Sequence, residues 1–148
     1  MKIAVIRVRG MVNLKQGDKY TLSCLNLKNS NHCVVVEDTP VNRGMIEKVS
    51  HIITWGRIDK PTFELMLSKR GRLEGDKRIN MDETEIKSFT DDFFNNKKSL
   101  KDINVKPYFR LKPPKKGYGR AGIKKPFELG GALGPRLEKI NELIRRMV

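Results

Sequence analysis

Few side chains in this chain have the type and spacing for bond-making chemistry. Its only cysteines and histidines are Cys24, Cys33, His32 and His51, and no CxxC spacing joins them. Zinc sites draw ligands from tight local pairs, so no metal is expected; Cys24 in a leucine-rich helical pattern and Cys33 at the head of an apolar run read as small core residues. Gly117-Tyr118-Gly119-Arg120-Ala121-Gly122 matches G-x-G-x-x-G. A dinucleotide site needs a strand directly before that pattern, a helix directly after it and an acid about 20 residues on. Here Pro113-Pro114-Lys115-Lys116 precedes it and Ile123-Lys124-Lys125-Pro126 follows, so the context fails on both sides. The carboxylates Asp82, Glu83 and Glu85 suit the positive end of a helix better than paired acid–base work. No serine or cysteine sits in a nucleophile setting. The sequence therefore points away from an enzyme, a cofactor or a small-molecule substrate.

The chemistry on offer is ionic. Residues 103–127 carry eight Lys or Arg and not one Asp or Glu. Such a run cannot bury its charges and has no counter-ions of its own, so it must lie beside water or a polyanion. Arg110, Lys112, Lys115, Lys116, Arg120, Lys124 and Lys125, with Tyr118 and three glycines among them, form the electrostatic footprint of a nucleic-acid binder. Glycines without a Cβ would let this loop thread closely along phosphates. The bland alternative is a disordered basic tail with no fixed partner. Lys69, Arg70 and Arg72 around Gly71, followed by Lys77 and Arg78, exceed what capping a helix C-terminus requires and read as a second RNA contact. Arg7, Arg9, Lys15 and Arg57 complete the candidate set. Residues 74–102 hold 6 basic and 8 acidic groups, against 13 and 6 in residues 1–73, so the footprint should be one-sided. With four prolines and unopposed charge, residues 103–127 bury little apolar surface and are expected to order on RNA rather than before it.

Positioning those cations requires a folded scaffold. Lys2–Arg9 reads as a strand, residues 18–28 as a helix capped by Asp18, and His32–Glu37 as a β-branched second strand. Thr39-Pro40 opens a second helix, with Val41, Met45, Val49 and Ile52 on its apolar face and Gly44 inside it. Residues 51–55 form a third strand, in which Trp55 is core rather than a stacking platform. The expected unit places both helices on one face of a small sheet. Beyond it, Asp59 and Pro61 open a helix bearing Phe63, Met66 and Leu67, and residues 82–95 form an acidic helix. Ser99–Asp102 starts one more turn, Tyr108–Leu111 makes a short edge strand, and Pro135 begins a last helix striped by Leu137, Ile140, Ile144 and Met147. Met1–Arg7 is too short an apolar run for a signal peptide or a bilayer span, so a cytoplasmic chain without membrane contact is expected.

Asp38-Thr39-Pro40-Val41-Asn42-Arg43-Gly44-Met45, directly after His32-Cys33-Val34-Val35-Val36, resembles the family of universal large-subunit ribosomal protein number thirty. Thr21–Leu27 resembles that family's first helix, and Thr54-Trp55-Gly56, Lys69-Arg70-Gly71 and Ile123–Phe127 resemble its archaeal branch, related to the eukaryotic seven-e protein. The resemblance implies an α/β (α+β) fold, β-α-β-α-β, with a three-stranded antiparallel sheet, two helices and some likeness to a ferredoxin fold. It implies a core over residues 1–58 and, over 59–148, a helical extension with the basic loop and a C-terminal helix. It also implies a structural role in the large ribosomal subunit, bound to large-subunit ribosomal RNA near 5S RNA and beside other ribosomal proteins. Arg43 and Lys48 match family positions that can face RNA, while Glu47 interrupts that basic face. The runner-up reading is a free-standing RNA-binding or RNA-chaperone protein.

Overall fold

The computed structural model describes residues 1–148. β1 (Lys2–Arg7) runs through the middle of the molecule, and every one of its residues is buried. Its alternation decides the architecture, because successive side chains leave a strand on opposite faces. Ala4 and Ile6 enter one apolar cluster, and Ile3 and Val5 enter another. Two cores therefore lie back to back across one sheet.

β1 is flanked by β2 (His32–Glu37) and β3 (Ile53–Arg57), antiparallel on either side, with Val5 opposite Val34 and Trp55. Two-residue strands extend the edges: β4 (Phe109–Arg110) pairs antiparallel with β2, and β5 (Gly134–Pro135) pairs parallel with β3. The sheet order is β4-β2-β1-β3-β5. The fold is thus α+β with a mixed five-stranded sheet, not three strictly antiparallel strands. The edge strand read near Tyr108–Leu111 is present. β5 comes from a Gly-Pro pair whose partner lies 80 residues back and has no local strand pattern.

α1 (Gln16–Cys24) and α2 (Pro40–Lys48) cover one face, where Leu22, Leu25, Ile46 and Val49 meet Ile3, Val5 and Val34. α3 (Lys60–Arg70), α4 (Glu83–Phe94) and α5 (Ile140–Met147) cover the other. Helices on one face only was the expectation; the extension fills the second face with the larger core. Phe63 is fully buried there, stacked on Phe93 at 4.7 Å with Phe109 edge-on at 6.3 Å. Truncating that ring to alanine costs about 3–5 kcal/mol. No helix is long and apolar enough to cross a membrane.

Local chemistry starts these helices where expected. Thr39 accepts from the Asn42 N–H with Pro40 at the first helical position, Asp59 accepts from Thr62 N–H, and Asp82 with Glu85 forms a capping box. Ser99 and Asp102 cap a short 3₁₀ turn at residues 100–103. Four details differ. α1 begins at Gln16, so Asp18 lies within its first turn, buried and facing His51 Nε2 at 3.4 Å. Val41 is 72% exposed, because α2 turns Ile46 inward instead. Cys24 is exposed while Cys33 is buried. The last helix starts at Ile140, leaving Leu137 exposed in a preceding 3₁₀ turn.

Candidate nucleic-acid interface

The last residue of β1 lies beside the first residues of its neighbours: Arg7 pairs with Ile53, and Arg7 C=O accepts from Asn31 N–H just before β2. Both edge strands attach at the same end, through Arg110 opposite His32 and Gly134 opposite Thr54. The segment joining those edge strands, residues 111–133, therefore crosses that end of the sheet as a strap. It contains most of the acid-free basic run.

The strap is fixed at intervals. Leu111 N–H donates to Asn31 C=O, Lys112 N–H to Met147 C=O, and Lys115 N–H to Arg146 C=O. The Arg146 guanidinium returns bonds to the carbonyls of Lys115 and Gly117 at 3.2 and 3.0 Å. At mid-span the Tyr118 hydroxyl donates to Asn31 Oδ1 at 2.5 Å, and its ring packs near Val8, Ala132 and Leu133. Burial pushes the Tyr118 phenol up to about 12, so it remains a donor. Further along, buried Arg136 donates to Thr54 Oγ1, to the carbonyls of Tyr118 and Ala132, and lies 4.3 Å over the Phe127 ring. In these anchors side chains far away in sequence supply fixing that the segment's own composition lacks. The glycines also have roles inside the strap. Gly119 has no room for a Cβ, which would lie 2.5 Å from Gly130 C=O, while Gly117 and Gly122 adopt φ of +73° and +81°. The glycines shape the strap internally.

With its backbone tied inward, the strap turns its cations out. Lys112, Lys115, Lys116, Arg120, Lys124 and Lys125 are all exposed, and none forms an ion pair with a carboxylate. Lys15 and Lys48 are exposed at the same end, Lys48 Nζ lying beside Gly17 at the start of α1. Arg9 is half-buried there, bonded to His51 C=O. Lys28 joins them and was not among the sequence candidates; a lone lysine after a helix carries no clustering signal.

The hairpin at residues 72–78 flanks the root of the strap. Lys69, Lys77 and Arg78 are exposed and Arg72 is half-buried. Asp76 ion-pairs with both Lys106 and Arg110, and Arg70 donates to Val148 C=O at 2.9 Å, so Arg70 and Arg110 are partly committed inside the protein.

Arg7 leaves the candidate set. Its side chain is fully buried, and its guanidinium donates to the carbonyls of Arg9, Leu27 and Lys28. No phosphate can reach it; it ties the loop after β1 to the loop before β2 beneath the interface. Trp55 is half-buried against the α1–α2 core, so it is no stacking platform.

Arg43 and Arg57 lie at the opposite end of the sheet. There Lys2 pairs with Glu37 at 3.0 Å, Lys60 with Asp91, and Arg145 with Asp59. Arg43 forms a two-pronged bond to Asp38 and holds that carboxyl below the usual carboxylate range. Gly44, halfway along α2, has nothing within 4 Å of where a Cβ would stand, so neither α1 nor the sheet accounts for it. His, Cys, Asp and Glu form no group of three that could hold a metal ion.

The fold is a small mixed sheet with helices on both faces and a pinned cationic strap across one end. Comparison with known proteins gives the family. Residues 3–53 match the model of the family described as ribosomal protein L30p/L7e. The chain is 43% identical over 154 residues to large ribosomal subunit protein uL30 of Methanococcus maripaludis strain S2, covering all of both chains. It is 42% identical to the protein of that name from Methanosphaera stadtmanae, covering 98% of this chain and 99% of that one. It is 41% identical to the one from Nanoarchaeum equitans, covering 98% and 97%. The chain belongs to the uL30 family, in its archaeal branch.

Proposed function

We propose that the strap end of the sheet is the surface through which this chain grips large-subunit ribosomal RNA. The chain is a structural, non-enzymatic constituent of the large ribosomal subunit, located on the cytoplasmic ribosome, with ribosomal RNA and other ribosomal proteins as partners. One observation carries the assignment of the surface: six exposed strap cations have no carboxylate partner, while the backbone beneath them is tied to the core. Phosphates supply the missing charge, and a pre-tied backbone lowers the ordering cost of meeting them. The reading takes Lys15, Lys48, Lys69, Lys77 and Arg78 as further contacts, with Arg9, Arg70, Arg72 and Arg110 contributing what their internal bonds leave free. It assigns residues 1–58 and 59–148 as core and extension that bind together, and puts 5S RNA nearby.

Filter binding of the full chain to large-subunit RNA across salt tests this. With roughly six to eight phosphates neutralised, log K should fall with log salt at a slope of about −4 to −7. A slope shallower than about −2 would overturn the phosphate-dominated reading. Sedimentation of a low-salt lysate separates the ribosomal reading from a free RNA chaperone: the first requires co-migration with the large subunit.

A further inference from the structure

Phosphate contacts hold an RNA without distinguishing its forms, yet one stretch beside the strap is built differently. Between Arg9 and Tyr20 the chain exposes three large apolar groups: Met11 at 50%, Val12 at 82% and Tyr20 at 71%. Their neighbours along the chain are cationic. Arg9, Lys15 and Lys19 belong to the same twelve residues, and the one acid among them, Asp18, is buried against His51. Exposed apolar side chains add little to the fold and cost solubility, so three of them within twelve residues point to an occupant. A protein partner would ordinarily meet a mixed-charge rim; a rim of cations alone complements an anion. Unpaired nucleotides combine both features, an apolar base face and a phosphate, and RNA is read mainly at loops and bulges where bases are splayed onto aromatic side chains.

The stretch is also held in place. Val8 is anchored in the cluster formed by Ala132, Leu133 and Tyr118, and Arg9 bonds to His51 C=O. At the other side Asp18 secures the first turn of α1, the helix that presents Tyr20. The apolar tip therefore stands at the strap end of the sheet on a rooted loop.

We propose that residues 9–20 read unpaired nucleotides, with the Tyr20 ring as a stacking platform and Met11-Val12 as an apolar rest for a second base or ribose. The inference rests on the RNA-binding reading above and adds the class of RNA: a helix interrupted by a bulge or loop, not a continuous duplex.

Two probes test it on the full chain: a 20-base-pair RNA duplex, and the same duplex carrying a three-nucleotide bulge. The parent should bind the bulged RNA about tenfold more tightly, in keeping with the usual worth of a base–aromatic stack. Tyr20→Ser, alone or with Met11→Ser and Val12→Ser, should abolish that preference with an unchanged salt slope, whereas Tyr20→Phe should keep it. All three side chains are exposed, so thermal unfolding should move little and serves as the folding control. Equal binding of the two RNAs by the parent, with a steep salt slope, would overturn the inference while leaving phosphate binding intact. A preference that survives the triple substitution would also overturn it. Failure to bind either RNA would sink the underlying reading along with it.

Discussion

The two ends of the sheet use their cations in opposite ways. At one end Lys2, Arg43, Lys60 and Arg145 each meet a carboxylate. At the other, the strap lysines meet none, and the buried Arg7 and Arg136 and the half-buried Arg146 beneath them bond to backbone carbonyls instead. Counting cations does not locate a polyanion surface. What locates it is the set left without partners after the fold has taken its own.

The sharpest way to break that contrast is to remove charge from each end. Replacing Lys115, Lys116, Lys124 and Lys125 together by alanine should reduce the salt slope of RNA binding by about 3, near 0.7–0.9 for each lost phosphate contact. Replacing Arg43 and Arg57 should leave that slope within about 1 of the parent, since each phosphate-contacting cation is worth about 1. Equal losses from both ends in filter-binding titrations would erase the distinction.

Next in size is Arg7→Met, which removes a cation from beneath the strap end without touching its surface. It strands three carbonyls, each worth about 1–3 kcal/mol when left unsatisfied, so stability should fall by at least about 3 kcal/mol. In a chain of this size that lowers Tm by roughly 6–12 °C, with the RNA affinity of the folded fraction retained. Normal thermal stability with lost binding would instead make Arg7 a direct contact.

Tyr118→Phe removes only the bond to Asn31 and should cost about 1 kcal/mol. Amide exchange should quicken around Lys115–Arg120 of the free protein and stay unchanged at the far end. A strap already unprotected in the parent would show that it orders on RNA after all.

His32 offers a pH test at the root of the strap. Burial, then the charges of Arg110 and Arg7, hold its pKa below the ordinary histidine value. The unfolded chain therefore binds the proton more readily, so the neutral ring's contribution is complete above about pH 6.5 and shrinks as pH falls below it. Denaturant unfolding at pH 7.5 and 5 should show a steeper loss for the parent than for His32→Gln. Parallel curves would refute the assignment.

The smallest effect lies between the two ends. Gly44→Ala meets open space in mid-helix, so the free protein should gain about 0.5–1 kcal/mol from helix propensity. A destabilised Gly44→Ala in a thermal melt would reveal a contact on α2 that this fold does not contain.

These outcomes also mark what was legible in the sequence. Thr39-Pro40, Asp59, Asp82 with Glu85 and Ser99 with Asp102 announced their helix starts because a cap and its partner lie three residues apart. The acid-free run was equally readable, since charge is a property of composition. The path of the strap was not: Tyr118 finds Asn31 across 87 positions, and Arg136 finds Thr54 across 82. Arg7 misled for a related reason. Its partners are main-chain carbonyls, which have no letter in a sequence, so a buried tie and a surface contact look identical. Val41 shows the limit of periodicity, because Val41, Met45 and Ile46 all fit an apolar stripe and only packing chooses the phase.

The two-residue strands at the sheet margins bear on the life of the chain before assembly. A bare three-stranded sheet would offer the outer backbones of β2 and β3 as templates for a neighbouring copy. β4 and β5 occupy part of each margin and are themselves too short to recruit a further strand. The strap that joins them thus links the two covered margins of the sheet. With both margins partly paired, little outer backbone of β2 and β3 is left to template edge-to-edge pairing between copies.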